Sequence, residues 1–412
     1  MKLFNLFNKK VFKIEPGLDR INKALEYIGN PQKSLNSILI AGTNGKGSTS
    51  AYIESLFRYH GFKTGLFTSP HLIKENERWQ INRKNIDDEK LKWYIKDLKP
   101  VIEKFELTYF EASTLLAFKY FYDEKIDVAV VEVGLGGRWD ATNTLYPDVS
   151  VITNVSFDHT HILGNTLKDI AFEKTGITRP DRPVVVGRNQ EEIIYWLKER
   201  GIRERYISTV DFHYKTKNYN SFDYFFRDFE IKDINLSMIG YRQIENCSTG
   251  LTSFLVYMER YGLKIDENLI KKALKETFWQ GRMQIILENP IIILDGAHNT
   301  EGLEKTFKEL KSIFPNKKIF TIYSFLKDKD IQSMISIIKE NSDYTLATTI
   351  DISRGMNRED FESLGEYNFE PDINSAIQRV ISISNDNIIL ITGSLYLIGE
   401  VLNGWNTAGK QT

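Results

Sequence analysis

The stretch ILIAGTNGKGST, residues 38–49, begins with four apolar positions and continues with three glycines, a lysine and several hydroxyl side chains. Glycines let the backbone adopt positive φ values and turn consecutive N–H groups inward, and the start of a following helix favours an anion at the same place. Lys46 adds a full positive charge, and Ser48 or Thr49 offers a hydroxyl suited to Mg²⁺. The stretch therefore predicts a strand, a phosphate-binding loop and a helix.

The spacing of this loop differs from the common phosphate-binding pattern G-x-x-x-x-G-K-[ST]. Ile40 stands at the position of the first glycine, and Gly47 separates Lys46 from Ser48. A strand-to-helix turn with a purely structural role is the alternative, but such a turn would hardly need three glycines together with a lysine and hydroxyls. We therefore interpret residues 42–49 as a shortened variant of a nucleotide-binding loop.

The composition indicates a soluble globular protein of two domains, with 412 residues, 42% hydrophobic residues and 26% charged residues. The net charge of −1 disfavours nucleic acid and anionic membranes as partners. The single cysteine, Cys247, excludes an intrachain disulfide and a thiolate zinc cluster, and we expect it in the core. Because we find neither a signal-peptide core nor an apolar run of about 18 residues, we expect a cytoplasmic protein without a membrane-bound part.

Strand and helix patterns alternate along the first two thirds of the chain. Besides the strand at residues 38–41, short apolar runs predict strands at residues 63–67, 126–133, 149–154 and 183–187. Helical spacing is found at residues 48–60, 88–105, 111–122 and 167–174. This alternation predicts a mostly parallel sheet with helices on both faces. Aromatic-rich alternation at residues 206–239 predicts a small antiparallel extension, and helices follow at residues 243–275.

A second strand and loop begin afresh at residues 291–299, after a segment that we interpret as the domain boundary. Alternating helices and strands then continue to residue 392. We therefore predict a P-loop ATPase domain at residues 1–283 and a smaller C-terminal α/β domain of Rossmann-like type at residues 284–412.

Polar side chains at the ends of buried strands are candidate metal ligands. Glu132 ends an almost wholly apolar strand, where a carboxylate is costly unless it is paired or bound to metal. Ser69 and His159 also follow strands, and this mixture of a hydroxyl, an imidazole and a carboxylate suits magnesium or manganese better than zinc. The alternative for Glu132 is a salt bridge with Arg138 or a lysine.

Composition and spacing alone give other polar residues a structural role. Lys174 has the position of a solvated lysine at a helix end, where a cation favours the helix dipole. Asp295 and His298 follow a second buried strand and could cap the next helix.

A series of short motifs, in order along almost the whole chain, resembles the folylpolyglutamate synthase/dihydrofolate synthase family of the Mur ligase superfamily. The motifs are AGTNGKGS (41–48), TSPHL (68–72), EVGLGGR (132–138), DATN (140–143), DHT (158–160), EKTGI (173–177), GR (281–282), DGAHN (295–299) and TGSLY (392–396). The resemblance implies an ATP-dependent ligase. ATP phosphorylates a carboxylate of a pterin substrate, and the amino group of L-glutamate attacks the acyl phosphate.

The resemblance also implies roles for individual residues. The implied ATP contacts are Thr43, Asn44, Gly45, Lys46, Gly47, Ser48, Thr49, Asn246, Arg282, Asp295 and His298. The implied Mg²⁺ ligands are Ser69, Glu132, His159 and Lys174, the last as a carbamylated lysine. Lys46, His159 and Lys174 are the implied catalytic residues. Residues implied to bind the reduced folate or dihydropteroate are Tyr109, Phe110, Glu111, Trp139, Asp140 and Ala141.

One of these positions departs from the family pattern, because Trp139 stands where the family usually has leucine. Two alternatives to the folate reaction therefore stay open: a Mur-type amino-acid ligase with a non-folate acceptor, and an ATP-binding protein that has lost its chemistry. Glutamate and the pterin substrate are small molecules, and we expect the protein to act as a monomer.

Overall fold

The computed structural model describes residues 2–7 and 15–408. Contacts within the chain divide it into two compact units. The first comprises Met1–Ser237 and Arg242–Phe278, and the second comprises Met238–Tyr241 and Trp279–Thr412. The domain limits expected from the sequence, residues 1–283 and 284–412, stay a prediction.

The first unit is built on a mixed sheet that contains eight strands in the described residues. The strands are β1 (Ser37–Ala41), β2 (Thr64–Phe67), β3 (Trp79–Ile81), β4 (Lys84–Asn85), β5 (Val128–Glu132), β6 (Val149–Ile152), β7 (Val184–Val186) and β8 (Arg205–Ile207). Their order is β4-β3-β2-β5-β1-β6-β7-β8, and only the β2–β3 and β3–β4 pairs are antiparallel. The predicted mostly parallel sheet is therefore confirmed.

Helices connect these strands, and a small antiparallel sheet follows them. The helices are α1 (Asp19–Tyr27), α2 (Lys46–Tyr59), α3 (Asp88–Lys104), α4 (Tyr109–Asp123), α5 (Thr160–Leu163), α6 (Leu167–Thr175), α7 (Glu191–Glu199), α8 (Tyr241–Arg260) and α9 (Glu267–Glu276). The antiparallel sheet consists of β9 (Phe212–Asn218), β10 (Ser221–Phe226) and β11 (Phe229–Asn235). This sheet confirms the predicted extension.

The second unit is a smaller α/β sandwich around a five-stranded sheet of order β12-β13-β16-β14-β15. The strands are β12 (Gln284–Glu288), β13 (Ile291–Asp295), β14 (Ile319–Tyr323), β15 (Tyr344–Ala347) and β16 (Ile388–Thr392). Only β12, at the edge, pairs antiparallel with its neighbour. The helices are α10 (Thr300–Ile313), α11 (Ile331–Asn341), α12 (Arg358–Glu362), α13 (Ile373–Ser384) and α14 (Leu395–Ala408).

Several elements were not expected from the sequence. The β3–β4 hairpin turns at Asn82 and Arg83, whose φ values are 49° and 67°, so its tight turn is made without glycine. Strand β12 lies in the segment that we interpreted as a linker, and its side chains are only partly buried, as is usual for an edge strand. Helices α5, α7, α12 and α14 were also missed. Strand β8 pairs in parallel with β7, although the sequence predicted antiparallel strands from residue 206.

The strand order places the loops that matter for function at one edge of the large sheet. In register, Ile40 of β1 is paired with Glu132 of β5, and Ala41 is paired with Ile152 of β6. Phe67 of β2 is paired with Val131. Because these strands are parallel, the segments that follow them emerge at a common edge, where ligands bind in open α/β sheets. None of the helices in residues 2–7 and 15–408 has the length and apolar character to span a bilayer.

Candidate functional site

The glycine loop leads directly into the N-terminus of α2, as the sequence predicts. Gly45 is the N-cap residue, with φ of 85°. The first N–H groups of a helix lack partners within the helix, so they are available to an anion. The hydroxyl oxygens of Ser48 and Thr49 are buried without a hydrogen-bond partner. Such buried, unsatisfied oxygens fit the expected ligands, a nucleotide phosphate and its Mg²⁺.

The segment after β6 fixes the glycine loop from the side. The N–H of Thr43 donates to the Asn154 carbonyl at 3.0 Å, and the N–H of Asn44 donates to Asn154 Oδ1 at 3.1 Å. In return, the Asn44 carbonyl accepts from Thr153 Oγ1 at 2.7 Å and from Asn154 Nδ2 at 2.9 Å. The Thr43 hydroxyl bonds the backbone of Ser156. Sequence reasoning missed this clamp, whose only signal was a run of polar residues after a buried strand.

Two lysine side chains converge on the carbonyl oxygen of Gly42. Lys46 Nζ donates to it at 3.1 Å and to the Thr43 carbonyl at 3.3 Å. Lys174 Nζ, from the last turn of α6, donates to the Gly42 carbonyl at 3.1 Å. Lys174 is only 4% exposed, so the expectation of a solvated lysine, drawn from composition alone, was wrong. The role implied by the resemblance fits its buried position.

The surroundings of Lys174 disfavour its charged form. Burial is the larger cause and the neighbouring Lys46 ammonium the second, and together they lower the pKa of Lys174 to about 7. The carboxylates of Asp158 and Asp140 act in the opposite direction without cancelling the effect. The site therefore contains one lysine with a reactive, partly neutral amine near neutral pH.

Ser69 and Glu132 meet at the ends of β2 and β5. The Ser69 N–H donates to Glu132 Oε2 at 3.1 Å, and Glu132 is 5% exposed. Arg138, one of the alternative partners considered for Glu132, makes an ion pair with Glu173 at 2.7 Å. His159 lies farther along, at the N-cap of α5, with φ of 50° and its N–H bonded to the Asp158 carboxylate.

The predicted metal ligands Ser69, Glu132, His159 and Lys174 include one carboxylate and one imidazole. In the part of the chain that the structure describes, no group of three or more His, Cys, Asp or Glu side chains is arranged to hold a metal ion. The predicted set would therefore need further oxygen ligands, from phosphate, water or a modified lysine, to complete a hard-cation site. These ligands stay a prediction.

The residues implied to bind the acceptor at the start of α4 have structural partners. The Tyr109 hydroxyl donates to Glu75 at 2.9 Å, which raises the pKa of Tyr109 together with the larger effect of burial. The Glu111 carboxylate accepts the Thr108 N–H at 2.8 Å in a capping box, and Arg20 Nε at 3.2 Å. Phe110 packs so closely on the Gly134 backbone that a Cβ there would lie 2.4 Å from its ring.

The second group of implied acceptor residues lies on the loop at residues 134–143. Trp139 is 46% exposed and available to a ligand. Ala141 is buried, and the Asp140 carboxylate points into its own loop, where it accepts the N–H groups of Leu135 and Thr142 at 2.9 and 3.0 Å. Burial raises the pKa of Asp140, although these hydrogen bonds lower it in part.

The remaining implied nucleotide contacts are divided between the two units. Asn246 of α8 lies against the glycine loop, because a Cβ on Gly45 would lie 2.3 Å from its Oδ1. Arg282, Asp295 and His298 belong to the second unit. Asp295 is buried and accepts the N–H groups of Met283 and Ala297 at 3.0 and 3.1 Å.

The expectation that Asp295 and His298 could cap the next helix was wrong. The N-cap of α10 is Asn299, whose Oδ1 accepts the Gly302 N–H at 2.8 Å. His298 Nδ1 instead lies 2.8 Å from the Gly296 carbonyl. Asp295 also accepts the Thr306 hydroxyl at 2.9 Å, so it ties the β13 end to the body of α10.

Comparison with known proteins identifies the family of the chain and agrees with its fold. Residues 40–253 match the Mur ligase middle domain, and residues 281–395 match the Mur ligase, glutamate ligase domain. The dihydrofolate synthase/folylpolyglutamate synthase of Bacillus subtilis is 33% identical over 410 residues, which is 95% of each chain.

Solved structures are similar over nearly the full length. Escherichia coli FolC in complex with DHPP and ADP has a TM-score of 0.90 and 27% identity, covering 99% of this chain and 98% of that chain. A bifunctional folylpolyglutamate synthase/dihydrofolate synthase with Mn, AMPPNP and L-glutamate bound has a TM-score of 0.87 and 26% identity, covering 98% of each chain.

Gly42→Ala should destabilise the protein far more than Gly61→Ala. An added Cβ at Gly42 would lie 1.8 Å from Thr153 Oγ1 and close to the Asn154 backbone, whereas Gly61, with φ of +88°, has nothing within 4 Å. We expect a loss of about 3 kcal/mol or more for Gly42→Ala and about 1 kcal/mol for Gly61→Ala. Urea unfolding measures both, and equal losses would contradict the clamp.

Lys174→Met should remove a pH dependence of stability. The pKa of Lys174 is about 7 in the folded protein and about 10.4 in an unfolded chain. Between these values the unfolded state binds more protons, so the lysine's contribution to the unfolding free energy rises with pH. From pH 7 to 9 the wild type should gain about 2 kcal/mol relative to Lys174→Met in urea unfolding with EDTA. Parallel pH profiles would show that Lys174 titrates normally.

Proposed function

We propose that this chain, which belongs to the Mur ligase family, is an ATP-dependent ligase that joins L-glutamate to the carboxylate of a folate or dihydropteroate. The observation that carries the proposal is the convergence of Lys46 and Lys174 on the Gly42 carbonyl. Two amines and a helix N-terminus meet there beside buried, unsatisfied hydroxyls. This arrangement suits a polyphosphate and the transfer of its terminal phosphoryl group.

The chemistry solves a specific problem, because a free carboxylate is a poor electrophile. Transfer of the γ-phosphoryl group of ATP to the acceptor carboxylate gives an acyl phosphate and ADP. The amino group of L-glutamate then attacks the acyl carbon, the C–N bond forms, and inorganic phosphate leaves. In this reaction the N–H groups of the glycine loop and the Lys46 ammonium hold the phosphates and offset their charge.

Mg²⁺ would be held by Ser69, Glu132, His159 and Lys174. When bound, Mg²⁺ neutralises charge on the transferring phosphoryl group. Glu132 is well placed for such a role, since the Ser69 N–H already orients its carboxylate at 3.1 Å. The hydroxyls of Ser48 and Thr49, which are buried without a hydrogen-bond partner, would be further oxygen ligands.

Lys174 would contribute as a carbamate. The lysine ammonium loses a proton, and the neutral amine then adds to CO₂ and loses a second proton. The product is an anionic oxygen ligand in place of a cation. The lowered pKa of Lys174, about 7, makes the neutral amine available near neutral pH. The change would also remove the repulsion between Lys174 and Lys46.

The acceptor would lie against the loop at residues 134–143 and the start of α4. Phe110 and Trp139 offer aromatic surfaces to a flat heterocycle. Tyr109, Glu111, Asp140 and Ala141 would shape this pocket, with their polar atoms engaged mainly in holding its walls. Asn246, Arg282, Asp295 and His298 are also proposed as nucleotide contacts.

The cellular setting follows from charge and composition. With a net charge of −1, the protein is proposed to act on small molecules, without nucleic acid or membrane partners. One cysteine, buried at Cys247, is compatible with a reducing cytoplasm. We propose a monomer with a nucleotide-binding domain at residues 1–283 and a C-terminal domain at residues 284–412.

Purified protein with ATP, Mg²⁺ and L-glutamate should release ADP when dihydropteroate or a tetrahydrofolate is added. Both acceptors are tested side by side, and mass spectrometry checks that the product has gained one glutamate. Lack of ADP release with either acceptor would contradict the folate reaction. ADP release with a muramyl-type acceptor alone would instead support a ligase with a non-folate acceptor.

Lys46→Ala should lower turnover by about 100-fold or more, because it removes a positive charge from the phosphate site. Thermal melting should show that the fold is retained, since this side chain bonds only nearby carbonyls of its own loop in the structure. Lys92→Ala, at a solvent-exposed position of α3, is the matched control and should keep wild-type turnover. Near-normal turnover by Lys46→Ala would reject the assignment of the loop.

A further inference from the structure

The loop at residues 134–143 is fastened to the last turn of α6 by both backbone and side-chain bonds. The Arg138 N–H donates to the Glu173 carbonyl at 2.8 Å, and the Arg138 guanidinium donates to the Glu173 carboxylate at 2.7 and 3.0 Å. The Asn143 amide donates to the carbonyls of Arg138 and Gly176 at 3.0 and 3.1 Å. The loop therefore brackets the helix end, with Arg138 on one side and Asn143 on the other.

The two backbones touch closely enough that side chains are excluded between them. A Cβ at Gly137 would lie 2.7 Å from the Glu173 carbonyl and 3.0 Å from the Lys174 carbonyl. A Cβ at Gly176 would lie 2.5 Å from Arg138 Cβ. Because close-packed backbones leave little freedom, the end of α6 moves only if the loop moves with it.

Aromatic rings hold the Arg138 guanidinium in place. Its carbon atom lies 4.7 Å from the centre of the Trp139 ring and 4.8 Å from the centre of the Phe172 ring. The Arg138 side chain is 35% exposed and the Glu173 side chain 16%. An exposed ion pair alone contributes little to stability. A guanidinium that is stacked and paired, on a residue whose backbone N–H also bonds the partner's carbonyl, fixes geometry instead.

We infer that Arg138 is a positioning residue that acts through Glu173 on the adjacent Lys174. Glu173 precedes Lys174 directly, and Lys174 Nζ reaches the Gly42 carbonyl at 3.1 Å from the same turn. A small displacement of this turn would withdraw the amine from the phosphate site. Misplacement of a catalytic group by 1 Å costs about 100-fold in rate. The expected change in kcat rests on the proposed function, whereas the expected displacement of Lys174 does not.

This fastening gives the loop two tasks. The loop carries Trp139, Asp140 and Ala141, which are proposed to contact the acceptor, and through Arg138 it sets the position of Lys174. We therefore expect a defect at Arg138 to appear in kcat, since ATP binds mainly at the glycine loop. KM for ATP should stay within about twofold of wild type, because the contacts of the glycine loop with ATP are unchanged.

The test compares Arg138→Met, Glu173→Met and the double variant. Methionine keeps an unbranched apolar side chain but has no guanidinium to pair with Glu173 or to stack on Trp139 and Phe172. Each single change should lower kcat at least tenfold. The kcat of the double variant should be no lower than that of the less active single variant, because both changes break the same ion pair. Arg138→Lys should recover part of kcat. In crystals of Arg138→Met, Lys174 Nζ should lie beyond hydrogen-bond distance of the Gly42 carbonyl.

Arg227→Met is the matched control. Its guanidinium is paired with Glu259 at 2.7 Å and stacked on Phe226 at 5.2 Å, but it lies in the antiparallel extension. This variant should keep wild-type kcat. A wild-type kcat for Arg138→Met, additive losses of kcat in the double variant, or an unchanged position of Lys174 would each overturn the inference.

If Arg138→Met fails to fold, the kcat values of Glu173→Met and Arg138→Lys decide the inference. Absence of turnover by the wild type would instead reject the proposed function, and the crystal measurement would still decide the position of Lys174.

Discussion

Two lysine amines share the carbonyl oxygen of Gly42, and the rest of the site is arranged around this contact. A carbonyl carries only a partial negative charge, so it cannot balance two ammonium groups at 3.1 Å. The conflict is relieved in two ways, by loss of the proton from the buried Lys174 or by binding of an anion. A ligase that binds a polyphosphate uses both proton loss and anion binding. The closeness of the two amines attracts the phosphates and also makes one amine reactive.

The position of the Gly42 carbonyl depends on parts of the chain that are distant in sequence. Parallel pairing of β1 with β5 and β6 brings three strand ends to one edge of the sheet. The segment after β6 then clamps the glycine loop through Thr153 and Asn154. From the other side, α6 supplies Lys174, and the loop at residues 134–143 holds the end of α6. Gly42 itself has no room for a side chain because Thr153 occupies that space.

The sequence was sufficient to predict the elements whose signals are local. Apolar runs predicted β1, β5 and β6, and the glycine loop predicted a phosphate site. Both patterns follow from short-range constraints on the backbone. The β3–β4 turn was not predicted, because Asn82 and Arg83 adopt positive φ values at positions where glycine is the usual signal. Strand β12 escaped because an edge strand needs no strong apolar pattern.

Site residues that depend on long-range packing could not be predicted from spacing. Lys174 has the sequence context of a solvated helix end, and only the docking of α6 beneath the glycine loop buries it. The resemblance to a family implied a role for Lys174, and the structure showed its burial beside Lys46. Asn299, the N-cap residue of α10, was likewise not identified, because several neighbouring polar residues could each have capped the helix.

The most direct test of this account is the titration of the Lys174 amine. Protein labelled with ¹³C at lysine Cε, with the resonance assigned by its loss in Lys174→Met, is titrated by NMR in the absence of CO₂ and metal. Burial beside Lys46 should give Lys174 a pKa of about 7. Replacement of Lys46 by methionine should raise this value, because the second cation is removed. A Lys174 pKa near 10.4, the value of a solvated lysine, would contradict the claim that burial beside Lys46 makes the amine reactive.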